Sequence, residues 1–274
     1  WFWCRASNSL KTSLPVGSSG SETAFINCKH RAGLGAPTRP LSSTQRITDW
    51  AVHSVSQWMR CLVLIAFVPA MAAAMLRFRV PGAKRLLAIS QGDLTRWVPP
   101  AQPSAIVNAA NERCLGGGGV DGAIHKAAGP ELRKLCEALP EVAPGVRCPT
   151  GDAVSTKACG ALQSTHVIYT VGPNVSGRRY ENDVSGDATT DPAKLPAAYR
   201  RTFEVASELG LAAVALPAVS CGVFGYPLAD AARIGTRAAV ASNIDHVEFV
   251  LFSDDLYDIF ATAAEDACGP PEVT

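Results

Sequence analysis

The sequence predicts an α/β domain in which a mostly parallel central sheet is covered by helices on both faces. Two observations predict it. From residue 77 onward, short apolar runs of strand length alternate with longer segments of helical period. Glycine and proline also fall at the joints between those runs, where an element has to stop.

The elements follow in order. Residues 84–90 (KRLLAIS) and 105–110 (AIVNAA) read as strands. Residues 120–128 and 130–139 read as helices, and Pro130 sits at a first helical position, where its missing N–H costs nothing. Residues 164–171 (STHVIYTV) form another strand, stopped by Gly172-Pro173. The polar stretch 174–192 reads as a long surface loop. Helix returns over 193–209 and ends at Gly210, a C-terminal cap. A strand over 212–216, a helix over 227–241, a strand over 246–252 and a helix over 256–267 complete the alternation. Ligands on such sheets bind beyond the carboxyl ends of the strands.

Composition narrows the function classes. The chain has 274 residues, 47% of them hydrophobic, enough for a substantial core. Its 25 Lys+Arg nearly balance 24 Asp+Glu, against the basic excess expected of a nucleic-acid binder. The 9 cysteines include no C-x-x-C pair, so neither a zinc ribbon nor a disulfide framework is indicated, and a reduced intracellular protein is expected.

Residues 1–76 stand apart from the domain expected over 77–274. They carry seven basic residues against two acidic ones, are rich in Ser, Thr and Gly, and lack a sustained period, so little packed structure is expected. Two readings stay open for them: an organelle transit peptide, or translated non-coding sequence. The apolar run Cys61 to Leu76 contains Pro69 and is too short for a membrane span, which needs about 20 residues. Read from Met59 it is signal-like; an ordinary start at Met71 or Met75 is the preferred reading. The protein is therefore expected in the cytoplasm or nucleus, as a monomer off the membrane, with organelle targeting if the leader is genuine.

Three loops at strand ends carry the chemistry. The first runs from Asn108 and Asn111 through Gly116, Gly117, Gly118 and Gly119 to Val120, Asp121 and Gly122, opening onto a helix. Consecutive glycines let backbone N–H groups approach an anion, and a helix N-terminus adds a favourable dipole. Gly117, Gly119 and Gly122 formally match a dinucleotide fingerprint, but six residues separate them from the strand, so the match is discounted. Asp121 reads in two ways: a first-turn acid favouring the helix dipole, or a general base facing a sugar hydroxyl or a water.

The second loop spans Ala218 to Pro227, with Ser220, Cys221, Gly222, Val223 and Phe224, and can form the opposite jaw of the same phosphate cleft. Cys221 is read as a small filler in preference to a nucleophile, and Phe224 as either core or an aromatic wall for a ribose. The third loop is Gly92-Asp93-Leu94-Thr95. A short acid there can accept from the exocyclic amine of adenine, although G-D-x-T is also ordinary turn chemistry.

Together these loops resemble the macrodomains, and within them the MacroD-type ADP-ribosyl hydrolases. The resemblance rests on GDLT at 92–95, AIVNAAN at 105–111, LGGGGVDGAIHKAAGPEL at 115–132, VIYTVGP at 167–173 and PAVSCGVFGYP at 217–227, and it covers about residues 80–265. It implies a three-layer α/β/α sandwich with a mixed sheet that binds ADP-ribose. By resemblance, Asp93 and Leu94 read the adenine with Phe252 stacked near it, and Gly119 and Val120 clamp the diphosphate together with Ser220 to Phe224. Asn111 then holds the distal ribose, and Asp121 orients or activates the attacking water with His125 nearby. Tyr169 stands where the family often has His, and Cys221 where it often has Thr, which bears on substrate preference. The implied activity removes ADP-ribose from acidic side chains of modified proteins, or acetate from O-acetyl-ADP-ribose, with no metal and no cofactor. The alternative is a reader that holds ADP-ribose without cleaving it.

Overall fold

The computed structural model describes residues 75–177 and 191–272. Among them are seven strands: β1 (Leu76–Arg79), β2 (Leu86–Gln91), β3 (Ser104–Ala109), β4 (Ala153–Lys157), β5 (His166–Thr170), β6 (Ala213–Leu216) and β7 (His246–Leu251). Five α-helices join them: α1 (Gly119–Ala128), α2 (Pro130–Glu137), α3 (Lys194–Glu208), α4 (Leu228–Ala241) and α5 (Asp254–Cys268). The sheet order is β1-β2-β7-β6-β3-β5-β4. The five inner strands run parallel, and β1 and β4 close the two edges antiparallel to β2 and β5.

Alternation along the inner strands sorts side chains to two cores. Ala105, Val107, Val214, Leu216, Phe249 and Leu251 face α3, α4 and α5. Ile106, Ala213, Ala215 and Val250 face the other way, onto Ile124 of α1, Leu132 of α2 and the turn holding Leu94 and Trp97. The result is a three-layer α/β/α sandwich with a mixed, mostly parallel sheet, as the sequence predicts.

Pro130 opens α2, and Gly210 follows α3 in the left-handed region at φ +63°, as expected of its cap. The last helix starts earlier than the expected 256, because Ser253 Oγ accepts from Leu256 N–H and admits Asp254 and Asp255 to the first turn. The edge strands are new. In β1 (LRFR) only Phe78 is fully buried, and β4 (AVSTK) is mostly polar, so neither carries the continuous apolar run of a central strand. β1 begins at Leu76, one residue before the expected domain start. Part of the loop expected over 174–192 (residues 178–190), and the leader up to residue 74, lie outside the described residues. No helix among the described residues is long and apolar enough to cross a membrane.

Candidate active site

The sheet order brings the three predicted loops to one rim. The carboxyl ends of β2, β7, β6 and β3 lie side by side, and they lead into Asp93, Phe252, Ser220 and the glycine loop respectively. This is the crevice position that parallel sheets offer to ligands.

The glycine loop owes its shape to close approaches. Gly116 has φ +89° and lies over the His125 ring, where a Cβ would sit 3.4 Å from Cγ. A Cβ on Gly122, in the first turns of α1, would come within 2.7 Å of the Gly117 carbonyl oxygen. Gly117, Gly118 and Gly119 are exposed, and no side chain caps the α1 N-terminus. Val120 is half-buried behind them.

Beneath this loop stands a polar trio. Asn108 on β3 donates from Nδ2 to Asp121 Oδ1 at 2.7 Å, and His125 Nε2 lies 3.4 Å from the same oxygen. Asp121 is in the first turn of α1 and only 3% exposed. Burial pushes its carboxyl pKa up, against the Asn108 hydrogen bond and the neighbouring His125. Asp121 Oδ2, Asn108 Oδ1 and His125 Nε2 are buried without a hydrogen-bond partner. Three unsatisfied polar atoms around one carboxylate are costly in a closed fold and suit a site that a ligand or water completes. Asn111 braces the loop: its Nδ2 donates to the Gly116 carbonyl at 3.1 Å and its Oδ1 accepts from Arg113 N–H at 3.1 Å.

The second loop is equally constrained. Ser220 adopts φ +63°, unusual outside glycine, and its carbonyl accepts from Tyr226 N–H at 3.0 Å. Its Oγ is buried and unpartnered, pressed against Gly172. Gly222 and Val223 are exposed, the latter 69%, while Phe224 is half-buried and its carbonyl accepts from Val175 N–H at 2.9 Å. Cys221 is half-buried, its Sγ pointing to the Val219 carbonyl at 3.5 Å, and burial pushes the thiol up to about 12. Such a thiol supplies almost no thiolate near neutral pH.

In the third loop Asp93 Oδ1 accepts from Thr95 N–H at 2.9 Å and from Thr95 Oγ1 at 2.7 Å, capping a single 3-10 turn over Leu94–Arg96. Oδ2 points to the exposed Arg96, 3.8 Å away. Leu94 buries its side chain, and Phe252 follows β7 with 88% of its surface exposed. Sequence reading missed Asn108 as the partner of Asp121, and it missed Gly172, Trp97 and Glu248. An acid inside the apolar strand HVEFVL was the available signal for Glu248.

The chain is similar to known proteins in sequence and in fold. The family profile described as Macro domain matches residues 107–235. A macro domain-containing protein of Xanthomonas campestris is 46% identical over 178 residues, covering 63% of this chain and 92% of the relative. A Pantoea vagans protein named O-acetyl-ADP-ribose deacetylase 1 is 37% identical over 179 residues, covering 64% of this chain and 95% of its own length. Among solved structures, the Oceanobacillus iheyensis macrodomain with ADP matches at TM-score 0.58 and 32% identity, over 70% of this chain and 96% of that one. The Trypanosoma brucei macrodomain in complex with ADP-ribose matches at TM-score 0.52 and 35% identity, over 68% and 72% of the two chains. This chain belongs to the macro domain family.

Proposed function

We propose that the chain binds ADP-ribose along the rim from β2 to β3 and hydrolyses ADP-ribosyl esters. Adenine lies between Asp93 and Phe252, the diphosphate between the glycine loop and Ser220 to Phe224, and the distal ribose over Asn111 and Asp121. The products are ADP-ribose and the free acid, which is either a side chain of a modified protein or acetate from O-acetyl-ADP-ribose.

The observation that carries the reading is Asp121: one carboxylate oxygen is held by Asn108 and the other is left without a partner, directly behind the anion-binding turn. A carboxyl with a raised pKa is the stronger base and suits a water that must lose a proton as it attacks. Water adds to the ester carbonyl carbon as its proton passes to Asp121; the acyl–oxygen bond to the distal ribose then breaks, and Asp121 returns the proton to the ribose oxygen as the free acid and ADP-ribose leave. The names of the relatives support both the ligand and the deacetylase form of the reaction.

A second reading, a reader without catalysis, is favoured by the low exposure of Asp121, at 3%. Single-turnover release of ADP-ribose from protein modified on acidic residues, and of acetate from O-acetyl-ADP-ribose, separates the two. Release from either substrate supports the hydrolase; tight calorimetric binding of ADP-ribose with no release from both leaves the reader.

A further inference from the structure

The buried acid on β7 has no part in the reaction above, yet it touches the nucleobase end of the rim from behind. Glu248 is 4% exposed. Its Oε1 accepts from Ser90 Oγ at 2.6 Å, and its Oε2 accepts from Trp97 Nε1 at 2.8 Å. His246 Nε2 lies 3.4 Å from Oε2. Ser90 is the last residue but one of β2, and Trp97 ends the 3-10 turn. Both ends of the segment that presents Asp93 are therefore tied to one carboxylate.

Between those ties the segment is held by the buried Leu94 side chain and by a few backbone bonds. Gly92 N–H bonds to the Leu251 carbonyl at 2.9 Å, and the turn closes on itself through Arg96 N–H to Asp93 O, at 2.9 Å, and Trp97 N–H to Leu94 O, at 3.2 Å. Asp93 spends Oδ1 on capping that turn, so Oδ2, which faces the exposed Arg96 across 3.8 Å, is the oxygen left for a base. The direction of Oδ2 follows the turn, and the turn follows Trp97. Burying a carboxylate is costly unless each oxygen is bonded. Here burial alone would raise the Glu248 pKa, but the bonds from His246, Ser90 and Trp97 outweigh it and hold the group ionised.

The geometry points to Glu248 as a positioning residue that sets the Asp93 turn and so determines the base selectivity of the site. The inference rests on the proposed ADP-ribose reading. Adenine offers Asp93 an amine donor, whereas hypoxanthine offers an oxygen, which a carboxylate repels. The wild-type protein should prefer ADP-ribose over inosine diphosphate ribose by about tenfold, the worth of one charged hydrogen bond.

Calorimetry with both ligands on the full chain tests it. Glu248→Leu cuts both ties, and its preference should fall to about threefold or less, with affinity for the inosine analogue nearly unchanged. Glu248→Gln can accept from the Trp97 indole while donating to the Ser90 hydroxyl, and it should restore the preference. Trp97→Phe keeps the ring packing but removes the N–H, so its preference should fall partway; it decides the matter if the leucine variant fails to fold. A preference unchanged in the folded variants, or a parallel loss for both ligands, overturns the inference. Wild-type protein that binds both ligands equally overturns it too, whereas wild-type protein that binds neither overturns the proposed function itself.

Discussion

Asn108 Nδ2 donates to Asp121 Oδ1 at 2.7 Å, across thirteen residues that include the whole glycine loop. Asn108 lies inside the sheet and is fully buried, so the sheet helps to set the position of the acid beneath the glycine loop. Asp121→Asn keeps that bond, because the amide oxygen still accepts, and it removes only the basicity. Affinity for ADP-ribose should hold or rise slightly, since a like charge leaves the neighbourhood of the diphosphate. Ester hydrolysis should fall by roughly 10²–10⁴-fold, the usual worth of a positioned base. Single-turnover release beside calorimetry reads both. Equal loss of rate and affinity would mean that the acid only shapes the loop.

The same substitution should change stability with a defined pH dependence. Asp121 titrates above its ordinary 3.8 in the folded protein because burial disfavours the charged form. The unfolded chain therefore ionises first, and stability contributed by the protonated group is lost as pH rises from about 4 through the folded value. Asp121→Asn should melt higher than wild type at neutral pH, with the gap closing toward pH 4. Thermal unfolding at both pH values checks this, and a wild type that melts as high as the variant at neutral pH would refute the sign.

Asn111 acts one layer up. Replacing it with Ala removes its bonds to the Gly116 carbonyl and Arg113 N–H, and with them the brace of the glycine loop. A loop displaced by about 1 Å costs on the order of 10²-fold in rate, and some affinity should go with it. Combined with Asp121→Asn, the loss should be less than additive, because both act on one reacting geometry. Strict additivity in the kinetic cycle would place them in separate steps.

What the sequence made legible were the features that local chemistry dictates. The inner strands are continuous apolar runs, and the glycine loop is a row of residues with no other economical use. β1 and β4 were illegible because an edge strand needs only one buried residue, such as Phe78, and its pairing is decided by a partner far along the chain. Asn108 read as another polar residue near a ligand, because its bond to Asp121 depends on how β3 lies under α1. Glu248 was hidden likewise: two of its three partners, Trp97 and Ser90, are 151 and 158 residues away.

Cys221 is the conspicuous nucleophile candidate that the environment disarms. Burial pushes its thiol up to about 12, and its Sγ faces the Val219 carbonyl. Cys221→Ser should keep most of the hydrolase rate, within about threefold, because a buried neutral thiol supplies little nucleophilic thiolate. Abolished turnover with a covalent adduct on Cys221 in the wild type, seen by intact-mass measurement, would replace water with the thiol as the attacking group.

Gly172 offers the sharpest probe of the second loop, because it lies outside that loop and presses on it. A Cβ there would collide with Ser220 Oγ and stand 2.8 Å from Val219 Cγ1 and 3.3 Å from Leu195 Cδ1. Ser220 is already held in the left-handed region at φ +63° by the Tyr226 N–H bond to its carbonyl, so it has little room to yield. Gly172→Ala should therefore push the Ser220 to Phe224 segment outward, at an overpacking cost of about 1–3 kcal/mol. If that segment clamps the diphosphate, ADP-ribose affinity should fall by about fivefold or more while the fold survives, since 1.4 kcal/mol is a factor of ten. Ser220→Gly removes the obstructing hydroxymethyl group and relaxes the φ constraint, leaving the backbone N–H donors in place. Added to Gly172→Ala, it should recover part of the affinity, the Val219 contact remaining, even though Ser220→Gly alone gains nothing. Calorimetry on the two single variants and the double variant completes the cycle. Full affinity in a folded Gly172→Ala protein would remove the second loop from the phosphate clamp and leave the glycine loop to hold the ligand alone.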